Sequence, residues 1–241
     1  MTWLQYSWGL VLELTWAHLL LSLPAILLSL LIAVPIGWLA HARPRLGGAL
    51  LSGASLLYAI PALPLLIMVP AVFGVPLRSA ATMIIALTVY GVALLVRSVA
   101  DGFASVDPAV RQAAVAVGHS PRQMFWAVDL PLAVPVIAAG LRVVTVSTVG
   151  LVTIGALIGV ANLGTLFTDG FQRGIVAEVV TGVVATVLLA LVLDGLVVLA
   201  ARAATPWTRA SAVGAGTTPS LLPPSALQPA VRGERGNGGR A

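Results

Sequence analysis

The sequence contains no cysteine and no lysine, and only 9% of its 241 residues are charged. The absence of cysteine excludes disulfides, thiolate metal sites and a cysteine nucleophile. The absence of lysine excludes a phosphate-binding loop of the GxxxxGK[ST] type, so we expect no nucleotide site of that kind in this chain. All 13 basic residues are arginine, against 8 acidic residues.

Apolar sequence is what the chain has in excess. Hydrophobic residues make up 59% of it and the mean hydropathy is +1.04, whereas soluble domains usually carry about a quarter charged residues. Because each helical crossing of a bilayer needs roughly 20 apolar residues, the apolar length predicts about five transmembrane helices in one bundle. The predicted fold class is therefore an all-α integral membrane protein.

The apolar segments place the predicted spans at about 16–40, 49–73, 79–100, 131–160 and 176–201. Residues 1–15 precede them as an extracytoplasmic segment. Residues 1–12 contain no Lys or Arg, unlike the positive start of a secretory signal, so we expect this end to be retained. Residues 202–241 are rich in Pro, Gly, Ser and Ala and predict a disordered cytoplasmic tail.

The arginines predict the orientation. Positive charge collects on the cytoplasmic side of membrane proteins, and most arginines flank the same ends of the spans. The predicted inner set is Arg43, Arg45, Arg111, Arg122, Arg202 and Arg209, against Arg78 and Arg173 outside. We expect an outer amino terminus and an inner carboxyl terminus. We attribute the net positive charge to this membrane orientation and not to a surface that binds nucleic acid.

A polar segment, residues 106–131, interrupts the apolar chain, and we call it the polar hairpin. Asp107 followed by Pro108 predicts a helix start, Gly118 a helix stop, and Ser120 with Gln123 a capping box for a second helix. The second helix is expected to end at Asp129, where the fourth span departs. The first is expected to carry one apolar stripe, formed by Val110, Ala113, Ala114 and Val117. A plain amphipathic hairpin lying on the bilayer is the structural alternative.

The spacing within this hairpin resembles the EAA loop of ABC importer permeases. That pattern is EAA, three residues, G, nine residues, I, one residue, LP. Here it reads Gln112-Ala113-Ala114, Gly118, Val128 and Leu130-Pro131 at the same intervals, with Gln for Glu and Val for Ile. The segments 58–66, 106–114, 130–142 and 154–164 further resemble the branch that imports glycine betaine, choline and carnitine.

The resemblance implies a type I, MetI-like permease bundle with cytoplasmic coupling helices, in the cytoplasmic membrane of a bacterium. Its partners would be an ATPase subunit that binds ATP and Mg, an extracytoplasmic substrate-binding protein, and a second permease copy or sister permease. This chain would carry no cofactor. The ATPase contact would be formed by Gln112, Ala113, Ala114 and Gly118, and Leu130 and Pro131 would begin the next span. Gln112 can hydrogen-bond there but cannot form the ion pair that a glutamate would.

Two other functions remain open from the sequence. The first is an importer of another small solute, such as methionine or another amino acid, a sulfonate or a phosphonate. The second is a membrane-embedded enzyme, which needs a convergent base, nucleophile or metal set. The ionisable residues of the spans are few and lie on different spans, which disfavours an enzyme.

A translocation path needs polar groups or broken backbone at membrane depth. Pro61, Pro64 and Pro70 predict a kink or a break in the second span. Arg142, Thr145 and Thr148 recur at three-residue spacing, and Asp194 lies at a similar depth. Tyr58 could hold a quaternary ammonium through its ring. The candidate path residues are Tyr58, Pro61, Arg142, Thr145, Thr148 and Asp194; packing, a structural ion pair or snorkelling are the alternatives for them.

Overall fold

The computed structural model of the chain describes residues 2–207, and every regular element within them is helical. This confirms the predicted fold class. One compact unit ends at Thr205. The elements in chain order are α1 (Thr2–Ala42), α2 (Pro44–Ala59), α3 (Ala62–Phe73), α4 (Ala80–Ala104), α5 (Pro108–Ala116), α6 (Pro121–Met124), a π-helical turn (Phe125–Asp129), α7 (Leu130–Val152), a 3-10 helix (Thr153–Ile158), α8 (Gly164–Arg173) and α9 (Val176–Ala204).

Four helical stretches are long and apolar enough to cross a membrane. They cover Tyr6–Ala42, Ala80–Ala104, Pro121–Ile158 and Val176–Ala204. The pair α2 and α3, bent by 109° at its break, makes a fifth span if it is counted as one. The predicted number of about five therefore depends on this broken pair.

Three segment boundaries differ from the prediction. α1 begins at Thr2, so most of the predicted segment 1–15 is helical and continuous with the first span. The predicted loop 41–48 is largely helix, because Pro44 occupies a first helical position that needs no N–H. α9 continues to Ala204, past the predicted end of the fifth span; the predicted disordered tail lies, from residue 208 on, outside the described residues.

The second span is broken between α2 and α3, at Ile60 and Pro61. Ile60 has ψ 126° and Pro61 has ψ 145°, both extended, as expected for a proline and the residue before it. The Tyr90 hydroxyl of α4 donates a hydrogen bond to the Ile60 carbonyl oxygen. The break therefore leaves the Ile60 carbonyl without a partner in its own helix, and α4 supplies one. The bend of 109° is sharper than a proline kink.

α4 lies at the centre of the bundle, in contact with α1, α2, α3 and α7. Small residues permit a close approach between α1 and α4. The Ser29 hydroxyl donates to the Thr88 carbonyl at 3.2 Å as well as to its own helix at Ala25, 2.7 Å. A Cβ on Gly91 would lie 2.1 Å from the Ser29 hydroxyl oxygen. Glycine at this position is thus required by packing, as is common between membrane helices.

α7 and α9 also contact α1, and α8 packs against α9. Leu14, Val149, Leu163 and Leu189 belong to one buried apolar cluster there, and the buried His18 ring places Nε2 3.0 Å from the Val149 carbonyl oxygen. The outer face of α9 consists of exposed large apolar residues, for example Val180, Val187, Leu191 and Leu199. An apolar face of this length suits contact with lipid.

Candidate functional site

The polar hairpin begins as the sequence predicts. The Asp107 carboxylate accepts a hydrogen bond from the Ala109 N–H at 2.8 Å, with Pro108 at the start of α5. Gly118 has a φ of +91°, the left-handed conformation in which a glycine avoids strain. Two more backbone bonds close the turn, from Gly118 N–H to Val115 and from His119 N–H to Ala114. Local capping chemistry therefore determines this turn.

The second half of the hairpin starts with the predicted capping box. The Ser120 hydroxyl accepts from the Gln123 N–H at 3.4 Å, and the Gln123 side chain accepts from the Ser120 N–H at 2.9 Å. The prediction that this helix ends at Asp129 is wrong. Four α-helical residues lead into a π-helical turn, Phe125–Asp129, and this turn continues directly into α7. π-helical turns are rare and occur often at functional sites.

The apolar stripe predicted for α5 is not a buried stripe in this chain. Ala114 is 8% exposed, but Val110 is 43% and Val117 is 78% exposed. Gln112, Ala113 and Gly118 are also exposed. Only one side of a short helix can face the bundle, and on α5 that side carries Ala114 and Arg111. The remaining surface presents small and apolar side chains outward.

Arg111 connects α5 to three other elements. Its Nε donates to the Asp129 carboxylate at 2.7 Å, its Nη2 donates to the Phe103 carbonyl at 2.9 Å, and its Nη1 lies 3.3 Å from His41 Nε2. From the sequence, Arg111 is predicted only to be one of the inner arginines. A helix wheel places it off the apolar stripe, and none of its three partners lies within one helical turn, so no local pattern could have found them.

Deeper in the bundle, Arg142 of α7 and Asp194 of α9 form the ion pair that their similar depth suggested. Arg142 Nε and Nη2 donate to the two carboxylate oxygens at 2.7 and 2.8 Å. The arginine side chain is 50% exposed and the aspartate side chain 18%. The pair thus connects two spans and leaves part of the guanidinium on the surface of this chain.

The two threonines that follow Arg142 at three-residue spacing are buried, unlike Arg142 itself. Thr145 and Thr148 are 1% and 2% exposed, and the Thr145 hydroxyl donates to Leu141 of its own helix at 2.9 Å. Thr145 lines an apolar groove of about 1040 Å³ between α1, α7 and α9. Thr148 lies at a different cleft, described next. Three-residue spacing drifts around a helix, so the three side chains diverge.

A narrow cleft brings Thr148 together with Tyr58. Tyr58 and Tyr90 meet edge to face with ring centroids 5.8 Å apart, and the cleft is completed by Gly91, Leu94, Val144, Ser147, Thr148 and Leu151. Pro61, at the break, lies next to Ile60, whose carbonyl binds Tyr90. Pro61 and Thr148 thus lie beside the aromatic pair that Tyr58 forms with Tyr90. Arg142 with Asp194 forms a separate polar group.

Among residues 2–207, no three His, Asp or Glu side chains are grouped as a metal site would require. The features that the described part of the chain does offer are a capped polar hairpin joined to α7, a broken span and a partly exposed ion pair between α7 and α9. Such an arrangement defines a multi-pass helical membrane protein with a capped polar hairpin at one end of the bundle.

The comparisons with known proteins agree with this class. Residues 25–209 match the family of binding-protein-dependent transport system inner membrane components, and the chain belongs to this family. The choline transport system permease protein OpuBB of Bacillus subtilis is 30% identical over 205 residues, 84% of this chain and 92% of that protein. The osmoprotectant import permease protein OsmW of Salmonella typhimurium is 32% identical over 193 residues, 78% of this chain and 88% of that protein.

Solved structures support the MetI-type fold. A chain of the inward-facing MetNI methionine ABC transporter superposes with a TM-score of 0.72 at 22% identity, covering 83% of this chain and 98% of that one. An amino acid ABC transporter gives a TM-score of 0.64 at 18% identity, with 83% and 96% covered. The chain is therefore an ABC transporter permease subunit, an inner membrane component with several spans.

Proposed function

We propose that this chain is the permease subunit of an ATP-driven importer that carries an osmoprotectant, such as glycine betaine, choline or carnitine, by alternating access. The observation that carries the proposal is the polar hairpin, which has the EAA-loop spacing and is folded as a capped helix with exposed small residues. The cargo class is supported by relatives with these names. One is the glycine betaine/carnitine/choline permease OpuCD of Bacillus subtilis, 30% identical over 194 residues, 80% of this chain and 83% of that protein.

The hairpin is the proposed docking element for the ATPase, which would bind ATP and Mg. Gln112, Ala113 and Gly118 are exposed, and short side chains let another protein approach the backbone closely. Ala114 faces inward and would position the helix instead of touching the partner. Leu130 and Pro131 start α7, so a force on the hairpin reaches a membrane span without an intervening loop.

The complete transporter would contain a second permease, as a copy of this chain or a sister, and an extracytoplasmic binding protein. One hairpin serves one ATPase subunit, so two permeases are required for two ATPases. The distribution of arginines supports an outer amino terminus, an inner carboxyl terminus and a bacterial cytoplasmic membrane as the location.

Two regions are the proposed contacts of the translocation path. The first is the cleft with Tyr58 and Thr148 beside the break at Pro61, where a tyrosine face could attract a quaternary ammonium. The second is the Arg142 and Asp194 pair, with Thr145 in the next turn of α7. Broken backbone and ionised side chains at membrane depth belong beside protein or water and not beside lipid.

The test is reconstitution of the chain with its partner ATPase and binding protein. Betaine, choline and carnitine are expected to stimulate ATP hydrolysis and to enter the vesicles. Methionine, a sulfonate and a phosphonate serve as competing cargoes in the same assay. Uptake of one of these and of no quaternary amine would refute the osmoprotectant cargo and leave the importer intact. Assembly without any ATP-driven uptake would refute the importer.

A further inference from the structure

Arg111 lies where the polar hairpin meets the bundle. Its side chain is 30% exposed and that of Asp129 only 13%. Three of its nitrogens have partners, on three different elements: Asp129 in the π-helical turn, the Phe103 carbonyl at the end of α4, and His41 at the end of α1. We call these four residues the Arg111 cluster.

The three contacts taken together fit the geometry of a guanidinium. An arginine side chain is a planar fork of N–H donors and accepts no hydrogen bond, so His41 Nε2 must be the acceptor in their contact. Phe103 lies in the last turn of α4, where carbonyl oxygens have no partner within the helix. Lysine, with one nitrogen on a flexible stem, cannot match these three directions at once.

The same elements are held together by aromatic rings beneath Arg111. The His41 and Phe103 rings stack with centroids 6.3 Å apart, and Phe103 stacks on Phe125 at 5.9 Å. Trp38 of α1 meets the edge of Phe125 at 5.4 Å. Since Phe125 opens the π-helical turn, the ends of α1, α4 and α7 form one packed unit, to which α5 is attached through Arg111.

α5 itself has few other attachments. Ala114 is its buried residue, and its remaining side chains, apart from the half-buried Arg111, are exposed. A short helix with one buried alanine can shift on the bundle unless a directional contact holds it. The three bonds of Arg111 supply such a contact.

We propose that Arg111 is a positioning residue that makes α5 move as one body with the cytoplasmic ends of α1, α4 and α7, and so transmits ATPase motion to the spans. The inference rests on the proposed function of the hairpin. It assigns to Arg111 the transmission of movement and leaves the docking itself to the exposed residues of α5. Asp129 is its main partner, because it receives the shortest of the three bonds and lies in the turn that continues into α7.

The experiment compares Arg111→Gln, Arg111→Lys and Asp129→Asn in the reconstituted full complex. The matched control is Arg122→Gln, on the neighbouring α6, because Arg122 is exposed and has no side-chain hydrogen bond or ion pair within residues 2–207. We expect the ATPase to remain bound in all four variants. Solute taken up per ATP hydrolysed should fall about two- to thirtyfold for Arg111→Gln and Asp129→Asn, the range typical of residues that carry coupling. Arg111→Lys should fall between these and the control.

A second readout follows movement directly. Because the chain has no cysteine, spin labels can be placed at Ala116→Cys on α5 and Ala42→Cys at the end of α1. ATP binding by the partner should leave the label distance unchanged with Arg111 present and should change or broaden it in Arg111→Gln. An unchanged distance and unchanged uptake per ATP in an assembled Arg111→Gln complex would overturn the proposal. So would loss of ATPase binding in that variant, which would make Arg111 a docking residue.

The two proposals can fail separately. If the wild-type complex takes up no tested solute, the cargo assignment is wrong, and the label distances still decide the role of Arg111. If Arg111→Gln does not fold, His41→Phe keeps the ring stack and removes only the bond to α1. On ATP binding, that variant should change or broaden the label distance, and an unchanged distance would contradict the role of the cluster.

Discussion

Arg142 and Asp194 join α7 to α9 through two parallel hydrogen bonds, 2.7 and 2.8 Å long, between a guanidinium that is half exposed and a carboxylate that is largely covered. Arg142 lies about 18 Å along α7 from Leu130, at 1.5 Å per residue. The unequal exposure of the two side chains predicts an unequal response to substitution.

Arg142→Gln should lower the thermal stability of the purified chain in detergent more than Asp194→Asn does. The first change leaves a covered carboxylate without its partner, whereas the second leaves a long side chain that can extend toward water. Unfolding followed by circular dichroism measures the difference. Exchange of the charges, Arg142→Asp with Asp194→Arg, should recover most of the lost thermal stability. If it does not, the stability that the pair contributes depends more on the residues around it than on the two charges.

Gly118→Val should abolish coupled transport. The φ of +91° disfavours a β-branched residue, at a cost of about 1–3 kcal/mol, although no atom lies within 4 Å of the added Cβ. The strain falls on the turn that joins α5 to α6. Uptake and ATPase binding are measured together in reconstituted vesicles.

Gly74→Val is the matched control for Gly118, because Gly74 also has a positive φ, +67°, with open space around its Cβ, but follows α3. Gly74→Val should lower the unfolding temperature about as much as Gly118→Val does, and it should leave the amount of solute taken up per ATP hydrolysed unchanged. Equal loss of coupling in both variants would mean that the hairpin has no special role.

Gly91→Ala should destabilise the contact between α1 and α4 by about 1–3 kcal/mol, the usual cost of overpacking. The new methyl group would overlap the Ser29 hydroxyl, 2.1 Å away. Ser29→Gly removes the overlapping atoms, so the double variant should be more stable than Gly91→Ala alone. Gly195→Ala, on α9 with no atom within 4 Å, should leave the unfolding temperature nearly unchanged.

Tyr90→Phe should loosen the break in the second span. It removes the hydroxyl that donates to the Ile60 carbonyl, a contribution of about 1 kcal/mol for an ordinary hydrogen bond. Hydrogen exchange at the backbone amides of residues 62, 63, 65 and 66 should become faster. Tyr58→Phe is the control, because the Tyr58 hydroxyl has no hydrogen bond among the described residues. Equal exchange in the two variants would contradict the role of Tyr90.

The parts of the fold that the sequence predicted correctly depend on short-range physics. Asp107 caps α5 and Ser120 with Gln123 forms the capping box, because each interaction spans at most three residues. The positive φ of Gly118 follows from the same local rules. The pairing of Arg142 with Asp194 could be suggested as well, since two opposite charges at similar depth in an apolar bundle have few alternatives.

Other features could not be read from the sequence. Pro61 indicates that the second span is not one regular helix. The same proline is compatible with a kink and with the 109° bend between α2 and α3, so the sequence does not distinguish them. The side chain of Arg111 is placed by partners that lie far from it along the chain, at 41, 103 and 129. α8, ten residues long, lies between the fourth and fifth predicted spans and is too short to cross a membrane, so hydropathy does not reveal it.

By itself, the sequence determined that this is a helical membrane protein of the permease family with a capped polar hairpin. The length of an apolar segment can be compared directly with the thickness of a bilayer, and capping interactions act within one helical turn. Only the tertiary structure decided that the hairpin continues through a π-helical turn into α7, that Arg111 joins it to three other elements, and that the candidate path residues fall into separate groups. These features depend on which helices meet and at what rotation, and packing between distant segments sets both.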